Sequence, residues 1–208
     1  MSVLESLKTQ FAIPVIREND SSTLESICLA LADGGLKVLE ITLMSDAAYE
    51  VIKKLSVRSD LVIGAGTVLN SADVEKAIQS GAKFLVSPGL NLLALETAKK
   101  NNIPFYPGVL TPTEIMAAQA VGCELVKVFP ISSIGGTAYL KSLRGPFPKM
   151  QWMVTGGVGL SDLKSYKDAG ASAVGLGGNI TPADAIKNKN WAALTELAQQ
   201  HVNTVKGL

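Results

Sequence analysis

The amino-acid sequence predicts a single-domain α/β barrel of eight parallel strands, and three observations support this prediction. Eight short runs rich in β-branched residues alternate with longer segments of helical periodicity, as in strands joined by crossover helices. The 208 residues leave about 26 residues for each strand–helix unit, which is compact but sufficient for a (β/α)8 TIM barrel. No linker or low-complexity tract divides the chain, so residues 1–208 are expected to form one domain.

The opening segment, residues 2–10, predicts a short N-terminal helix before the first strand. Each predicted strand is a short, mostly apolar run, as expected for strands that have the barrel interior on one side and helices on the other. In chain order the predicted strands are residues 12–17, 37–43, 61–64, 83–87, 104–106, 124–129, 151–154 and 173–176.

The predicted helices begin with residues that favour helix N-termini, as in Ser71-Ala72-Asp73 and Thr111-Pro112-Thr113-Glu114. A doubly wound open sheet has the same alternation of strands and helices, and periodicity alone does not distinguish it from a barrel. The predicted helices are residues 22–33, 46–56, 71–80, 92–101, 112–121, 137–143, 161–169 and about 182–205.

The composition disfavours several classes of protein. The 19 Lys and Arg residues almost balance the 18 Asp and Glu residues, so the strong basic excess of a nucleic-acid binder or an anionic-membrane binder is missing. Cys28 and Cys123 are too few for a disulfide framework and are expected to be small buried apolar residues. Neither a membrane-spanning run nor a signal region is visible, which predicts a cytoplasmic protein without a membrane partner.

The single histidine limits the possible chemistry. His201 lies near the C-terminus among polar residues, and any Ser-His-Asp or Cys-His mechanism would have to use it. A zinc site built from His and Cys ligands is excluded because too few such residues exist, although a carboxylate-only magnesium site stays open. The expected acid, base and nucleophile are therefore chosen among Lys, Glu, Asp, Ser, Thr and Tyr.

In a barrel of this kind the active site lies at the C-terminal ends of the strands. Polar and special residues occur there in most of the predicted strands. Thr67 is placed to donate a hydroxyl hydrogen bond to a small carboxylate, and Arg17 could bind a carboxylate through two hydrogen bonds, unless it is an ordinary surface arginine. The residues at or near these strand ends are Arg17, Glu40, Thr42, Thr67, Pro88, Lys127, Phe129 and Thr155.

Lys127 and Glu40 are the strongest candidates for catalysis, because each interrupts an apolar strand. Lys127 lies between Val126 and Val128, and strand alternation places it on the opposite face from both valines. A desolvated lysine amine is a usable nucleophile toward carbonyl groups, whereas a lysine that reaches solvent is the alternative. Glu40 could be the general acid/base beside that amine, or the two residues could form a purely structural buried ion pair.

Two glycine pairs predict a phosphate site. Gly156-Gly157 and Gly177-Gly178 follow the seventh and eighth predicted strands, and Asn179 comes directly after the second pair. In many barrels these two loops bind phosphate through backbone N–H groups. The alternative is that the glycines only turn the chain from strand to helix.

Beyond these individual residues, the chain resembles the 2-keto-3-deoxy-6-phosphogluconate (KDPG) / 4-hydroxy-2-oxoglutarate (KHG) aldolases, class I pyruvate-forming lyases. The resemblance extends nearly from end to end, with its motifs in the same order and spacing. The motifs are GGLKVLEITL, VIGAGTVLN, FLVSPGL, PFYPGVLTPTE, LVKVFP, GPFP and VTGGV.

The resemblance implies roles for individual residues. Lys127 corresponds to the Schiff-base lysine, Glu40 to the glutamate that transfers protons and Thr67 to the threonine near the pyruvate carboxylate. Pro88, Phe129 and Thr155 are expected to contact the keto-acid substrate, and Gly156, Gly157, Gly177, Gly178 and Asn179 its phosphate. The resemblance also implies a homotrimer that needs no metal and no cofactor.

Two positions depart from the family pattern. Many members have an arginine where this chain has Met44, while others have one at the end of the first strand, as here at Arg17; carboxylate binding is therefore assigned to Arg17. Members often have serine after the last glycine pair, and the replacement by Asn179 leaves the preference for a phosphorylated substrate open.

The implied reaction is cleavage of KDPG to pyruvate and glyceraldehyde 3-phosphate, and possible cleavage of KHG to pyruvate and glyoxylate. An aldolase for the galactonate-derived epimer or for an unphosphorylated 2-keto-3-deoxy acid is the nearest alternative. A phosphate-binding barrel isomerase would use the glycine pairs without needing Lys127, and a ligand-binding barrel without turnover would need neither Lys127 nor Glu40 for chemistry.

Overall fold

The computed structural model describes residues 1–208 and contains nine parallel strands with helices between them. Around the sheet the strands lie in the order β5-β4-β3-β2-β1-β9-β8-β7-β6. The strands are β1 (Ala12–Ile16), β2 (Val38–Thr42), β3 (Val62–Gly66), β4 (Phe84–Val86), β5 (Phe105–Tyr106), β6 (Gly108–Val109), β7 (Leu125–Val128), β8 (Gln151–Thr155) and β9 (Ala173–Leu176).

The fifth predicted strand closes the barrel, and proline divides it into β5 and β6. Pro107 lies between the two segments and has no N–H group to donate to a neighbouring strand. β5 pairs with β4, whereas β6 pairs with β7, and the Pro107 carbonyl accepts a hydrogen bond from the Lys127 N–H at 2.8 Å. The run 105–109 therefore joins both ends of the sheet, which confirms the eight-unit barrel and excludes the open sheet.

The helices follow the predicted order with two differences. The predicted helix over 161–169 begins as a 3₁₀ turn, Leu160–Asp162, before α8. The predicted helix over 182–205 is two helices, because Lys189 has a positive φ of 50° and Asn190 caps a new helix through the Ala193 N–H. The α-helices are α1 (Val3–Gln10), α2 (Ser21–Asp33), α3 (Asp46–Leu55), α4 (Ser71–Gln79), α5 (Leu92–Lys100), α6 (Pro112–Ala120), α7 (Gly136–Arg144), α8 (Leu163–Asp168), α9 (Ala183–Lys187) and α10 (Trp191–Lys206).

Alternation along the strands separates two apolar cores. Outward-facing side chains such as Val126 and Val128 pack against the helices in a cluster of 50 buried residues. The barrel interior holds a second cluster of nine, closed at the N-terminal end by Leu7 of α1, and burial raises the pKa of the Tyr106 phenol there. Its members are Leu7, Ile13, Val38, Phe84, Val86, Tyr106, Leu125, Met153 and Ala173.

The cysteines and the histidine lie outside the barrel interior. Cys28 is fully buried on α2, as expected, but Cys123, which follows the turn after α6, is only partly buried; both are free thiols. His201 is buried on α10, where its Nδ1 lies 2.7 Å from the Leu197 carbonyl of the same helix. α10 packs chiefly against α2, so His201 belongs to the helix layer. None of the helices is both long and apolar enough to cross a membrane.

Burial of His201 predicts a loss of stability on mild acidification. Burial lowers the pKa of His201 below its usual 6.5, so below about pH 6.5 the unfolded chain binds a proton that the folded chain excludes. This contribution is complete above that pH and is lost as the pH falls toward the folded-state pKa, by up to about 1.4 kcal/mol per pH unit. Urea unfolding at pH 7.5, 6.5 and 5.5 should show a flatter pH dependence for His201→Gln than for the unchanged chain, and parallel curves would contradict the assignment.

Candidate active site

Lys127 and Glu40 meet inside the barrel at the C-terminal end of the apolar interior cluster. β7 turns Leu125 and Lys127 inward, and β2 does the same for Val38 and Glu40. The Lys127 Nζ lies 3.4 Å from the Glu40 Oε1, and the two residues are only 4% and 0% exposed. A carbonyl compound that enters from the open end would therefore meet an amine and a carboxylate together.

An aromatic ring forms one wall beside the amine. The Lys127 Nζ lies 5.5 Å from the centre of the Phe129 ring. Phe129 is two residues after Lys127 in the chain, and strand alternation therefore places both side chains on the same face. The ring is half-buried and also lines a cavity at the strand ends, so it connects the amine to that cavity.

Gly66 provides the space that Glu40 occupies, a role that the sequence did not reveal. β3 continues past the predicted end at residue 64, because Ala65 and Gly66 remain paired with β2. A Cβ on Gly66 would lie 2.2 Å from the Glu40 Oε1, closer than any real contact. A glycine within a strand that otherwise pairs regularly was the only available signal, and such a glycine can mark a close approach of another group.

Three buried polar atoms that face the barrel interior at this end have no hydrogen-bond partner within the protein. They are the Glu40 Oε2 and the hydroxyls of Thr42 and Thr155. Thr42 is two residues after Glu40 on β2, and Thr155 is two residues after the inward-facing Met153 on β8, so both hydroxyls face the interior. Unpaired buried hydroxyls are costly in a protein without a ligand, at about 1–3 kcal/mol each, and their concentration here marks a site for a polar molecule.

The two glycine loops and Arg17 line one cavity of about 250 Å³ beside these residues. No carboxylate lines it, so its only full charge is that of Arg17, which suits an anion. Gly156 and Gly157 have φ values of 103° and 72°, a conformation that L side chains rarely adopt. The lining residues are Arg17, Phe129, Thr155, Gly156, Gly157, Val158, Gly177, Gly178 and Asn179.

The position of Arg17 differs from its expected use. Its Nη1 lies close to Gly177, 3.3 Å from the position that a Cβ on this glycine would occupy. Arg17 is therefore grouped with the glycine loops, at the rim of the barrel, and the expectation that it holds the keto-acid carboxylate does not follow from this placement. Met44, at the other family position for an arginine, is 52% exposed.

Asn179, Thr67 and Pro88 have different surroundings from one another. The Asn179 Nδ2 donates to the Val158 carbonyl at 2.9 Å, so this amide joins the loops after β8 and β9. Thr67 directly follows Gly66 and adopts a positive φ of 57°. Pro88 is exposed after β4, and neither Thr67 nor Pro88 lines the glycine cavity. The chain contains no group of three or more His, Cys, Asp or Glu side chains that could hold a metal ion.

Comparison with known proteins identifies the same group that the motifs resemble. The family model described as "KDPG and KHG aldolase" matches residues 3–197. A 2-dehydro-3-deoxy-phosphogluconate aldolase of Haemophilus influenzae is 35% identical, over 98% of this chain and 97% of the relative. A KHG/KDPG aldolase of Escherichia coli is 33% identical, over 96% of this chain and 94% of the relative.

A solved structure adds a chemical observation on a related protein. The KDPG aldolase of Legionella pneumophila has a TM-score of 0.88 and 33% identity to this chain, covering 96% of this chain and 97% of its own. Its crystal structure holds pyruvate captured at low pH as a covalent carbinolamine intermediate.

Proposed function

Because this chain belongs to the KDPG and KHG aldolase family, we propose that Lys127 and Glu40 are its catalytic residues, the first as Schiff-base nucleophile and the second as acid/base. The protein is a lyase that cleaves KDPG to pyruvate and glyceraldehyde 3-phosphate. The observation that supports these two roles is the buried contact of 3.4 Å between the Lys127 Nζ and the Glu40 Oε1.

The first chemical stage forms the imine. Glu40 takes a proton from the Lys127 ammonium, and the neutral amine attacks the C2 ketone to give a carbinolamine. Glu40 then returns that proton as water is lost, which leaves a protonated imine. Glu40 is the only carboxylate in contact with the amine, so it takes and returns the protons that nucleophilic attack and dehydration require. The surrounding apolar interior excludes bulk water from this step.

The second stage breaks the C3–C4 bond. Glu40 removes the proton of the C4 hydroxyl, an aldehyde leaves, and the bonding electrons pass into the imine to give an enamine. Protonation of the enamine at C3 gives the pyruvate imine, and hydrolysis releases pyruvate and the free Lys127 amine. The imine is thus the electron sink, and no metal ligand set is needed for it.

The two anionic ends of the substrate require separate sites. The carboxylate is next to C2 and therefore lies close to Lys127, where we place it near Thr67. The phosphate is at the opposite end of the carbon chain, and the glycine cavity with Arg17 offers it backbone N–H groups and a guanidinium. The assignment made from the sequence, Arg17 on the carboxylate, would leave that cavity without a cation.

KHG is a second candidate substrate because its far end is also an anion. The family model and the Escherichia coli relative both carry KHG in their names. A carboxylate in the glycine cavity would meet the same Arg17 side chain as a phosphate. The same catalytic pair would then release glyoxylate instead of glyceraldehyde 3-phosphate.

We also propose that the protein forms a homotrimer. Leu69, Leu92 and Leu93 are all more than half exposed, and the Asn91 side chain donates to the Leu69 carbonyl, which places them on one surface. Such a surface is typical of one that a partner subunit covers.

Replacement of the catalytic pair should abolish cleavage without unfolding the protein. We expect Lys127→Met to reduce KDPG cleavage to background, and Glu40→Gln to lower kcat by about 10²–10⁴-fold because only acid/base transfer is removed. Lys141→Met, which alters an exposed lysine on α7, is the matched control and should be fully active. Cleavage by Lys127→Met near the unaltered rate, in a coupled pyruvate assay, would eliminate the Schiff-base role.

Replacement of Arg17 should distinguish between the two anionic ends. Loss of a charge-assisted pair, worth about 1.5–3 kcal/mol, corresponds to about a 10- to 150-fold change in binding. We expect Arg17→Met to raise KM for KDPG by that factor while KM for pyruvate, measured in the condensation direction, changes little. An equal rise for pyruvate would instead assign Arg17 to the carboxylate.

A further inference from the structure

The cavity that Arg17 lines is built from two loops that follow different strands. The first glycine loop, residues 156–159, follows β8, and the second glycine loop, residues 177–182, follows β9. The pairing of β8 with β9 ends at Thr155 and Gly175, just before the loops begin. The strand ladder therefore does not fix the distance between the two glycine pairs, and contacts between the loops themselves have to do so.

The first glycine loop is held differently on its two sides. On the side of β7, the main chain holds it, because the Ser132 N–H donates to the Gly156 carbonyl at 3.2 Å. On the side of β9, a single hydrogen bond joins the two glycine loops, and a side chain provides it. This is the bond from the Asn179 Nδ2 to the Val158 carbonyl, at 2.9 Å. The spacing of the two loops therefore depends on one side chain.

The length of the Asn179 side chain suits this bond. Gly159 leaves space for the amide, because a Cβ at that position would lie only 3.3 Å from the Nδ2 atom. A serine hydroxyl is attached directly to Cβ and would stop one bond short of the amide nitrogen. An alanine has no side-chain donor at all. Either replacement of Asn179 would therefore remove the bond to the Val158 carbonyl.

The two glycine pairs can bind one anion together only if their spacing is fixed. The N–H groups of Gly156, Gly157, Gly177 and Gly178 donate to no main-chain carbonyl, and all four residues line the same cavity as Arg17. Free N–H groups of this kind are the donors with which loops bind anions. Donors that are held in place before binding lose less conformational freedom when the ligand arrives, which raises the affinity.

We propose that Asn179 is a positioning residue for the anionic end of the substrate: its hydrogen bond to the Val158 carbonyl fixes the spacing of the two glycine loops, so that N–H groups from both reach one anion. The inference rests on the proposed function. The role differs from the direct contact with phosphate that the sequence implied, because the amide is used on Val158 and the glycines contact the anion. The effect of Asn179 should therefore extend to any anion in the cavity and leave the keto-acid end unaffected.

The test compares Asn179→Ser, which keeps a donor but cannot reach Val158, with Asn179→Ala, which has no donor. We expect both variants to raise KM for KDPG by about 3- to 10-fold, while kcat stays within about 3-fold. Inorganic phosphate, used as a competitor of KDPG, should bind more weakly by a similar factor. Exchange of the pyruvate methyl protons in D₂O, followed by NMR, should change by less than about 2-fold, because pyruvate has no far anionic end.

Thermal unfolding separates positioning from a general effect on stability. Loss of one hydrogen bond between surface loops should lower Tm by less than about 4 °C, so both Asn179 variants should be folded in the assay. Asn203→Ser, which alters an exposed asparagine on α10, is the matched control and should keep the KM of the unaltered protein. A larger fall in Tm with an unchanged KM would make the bond a purely structural one.

Three further results would overturn the inference. If Asn179→Ser kept KM within about 2-fold while Asn179→Ala raised it, a direct contact with the anion would be the important one. An unchanged KM in both variants would show that the bond positions nothing. An equal loss in pyruvate proton exchange would move the effect to the catalytic pair. In each case the unaltered protein would still cleave KDPG; if it did not, the proposed function itself would fail.

Discussion

The contact between the Lys127 amine and the Glu40 carboxylate is the constraint on which the arrangement of the C-terminal half of the barrel depends. Both groups are buried, and a buried charge is tolerated only when another group compensates for it. Gly66 leaves space for the carboxylate, and β7 turns the Lys127 side chain into the barrel, so the two groups can meet. Ion pairs of this type seldom increase stability over an apolar pair of similar volume, so a chemical role explains the pair better than a structural one.

The barrel interior is divided between stability and chemistry along its axis. The N-terminal part of the interior, which includes Leu7 and Met153, is filled with apolar side chains, and the Lys127 amine lies at the end of this apolar region. In the C-terminal part of the interior, the Glu40 Oε2 and the hydroxyls of Thr42 and Thr155 have no hydrogen-bond partner in the protein. Unpaired groups of this kind reduce the stability of the free protein, and a bound substrate or water compensates for them, which is the usual trade-off between stability and activity.

The sequence was sufficient to predict the features that depend on local contrast. Lys127 and Glu40 stand out as charged residues inside apolar strands, and the alternation of strands and helices predicts the barrel. Features that depend on distant contacts were not predictable in the same way. Three such features bring together residues from different strands or from the loops that follow them. They are the placement of Arg17 with the glycine loops, the space that Gly66 leaves for Glu40, and the hydrogen bond from Asn179 to Val158. The break before α10 depends on one left-handed residue, Lys189, that periodicity does not reveal.

The central claim, that Lys127 is the Schiff-base nucleophile, is tested most directly by covalent trapping. The intact protein would be incubated with pyruvate, reduced with sodium borohydride and digested, and the modified peptide would be located by mass spectrometry. The account predicts one reduced pyruvyl adduct for each chain, on Lys127, and none when Lys127 is replaced by methionine. An unmodified protein, or an adduct on another lysine, would contradict it.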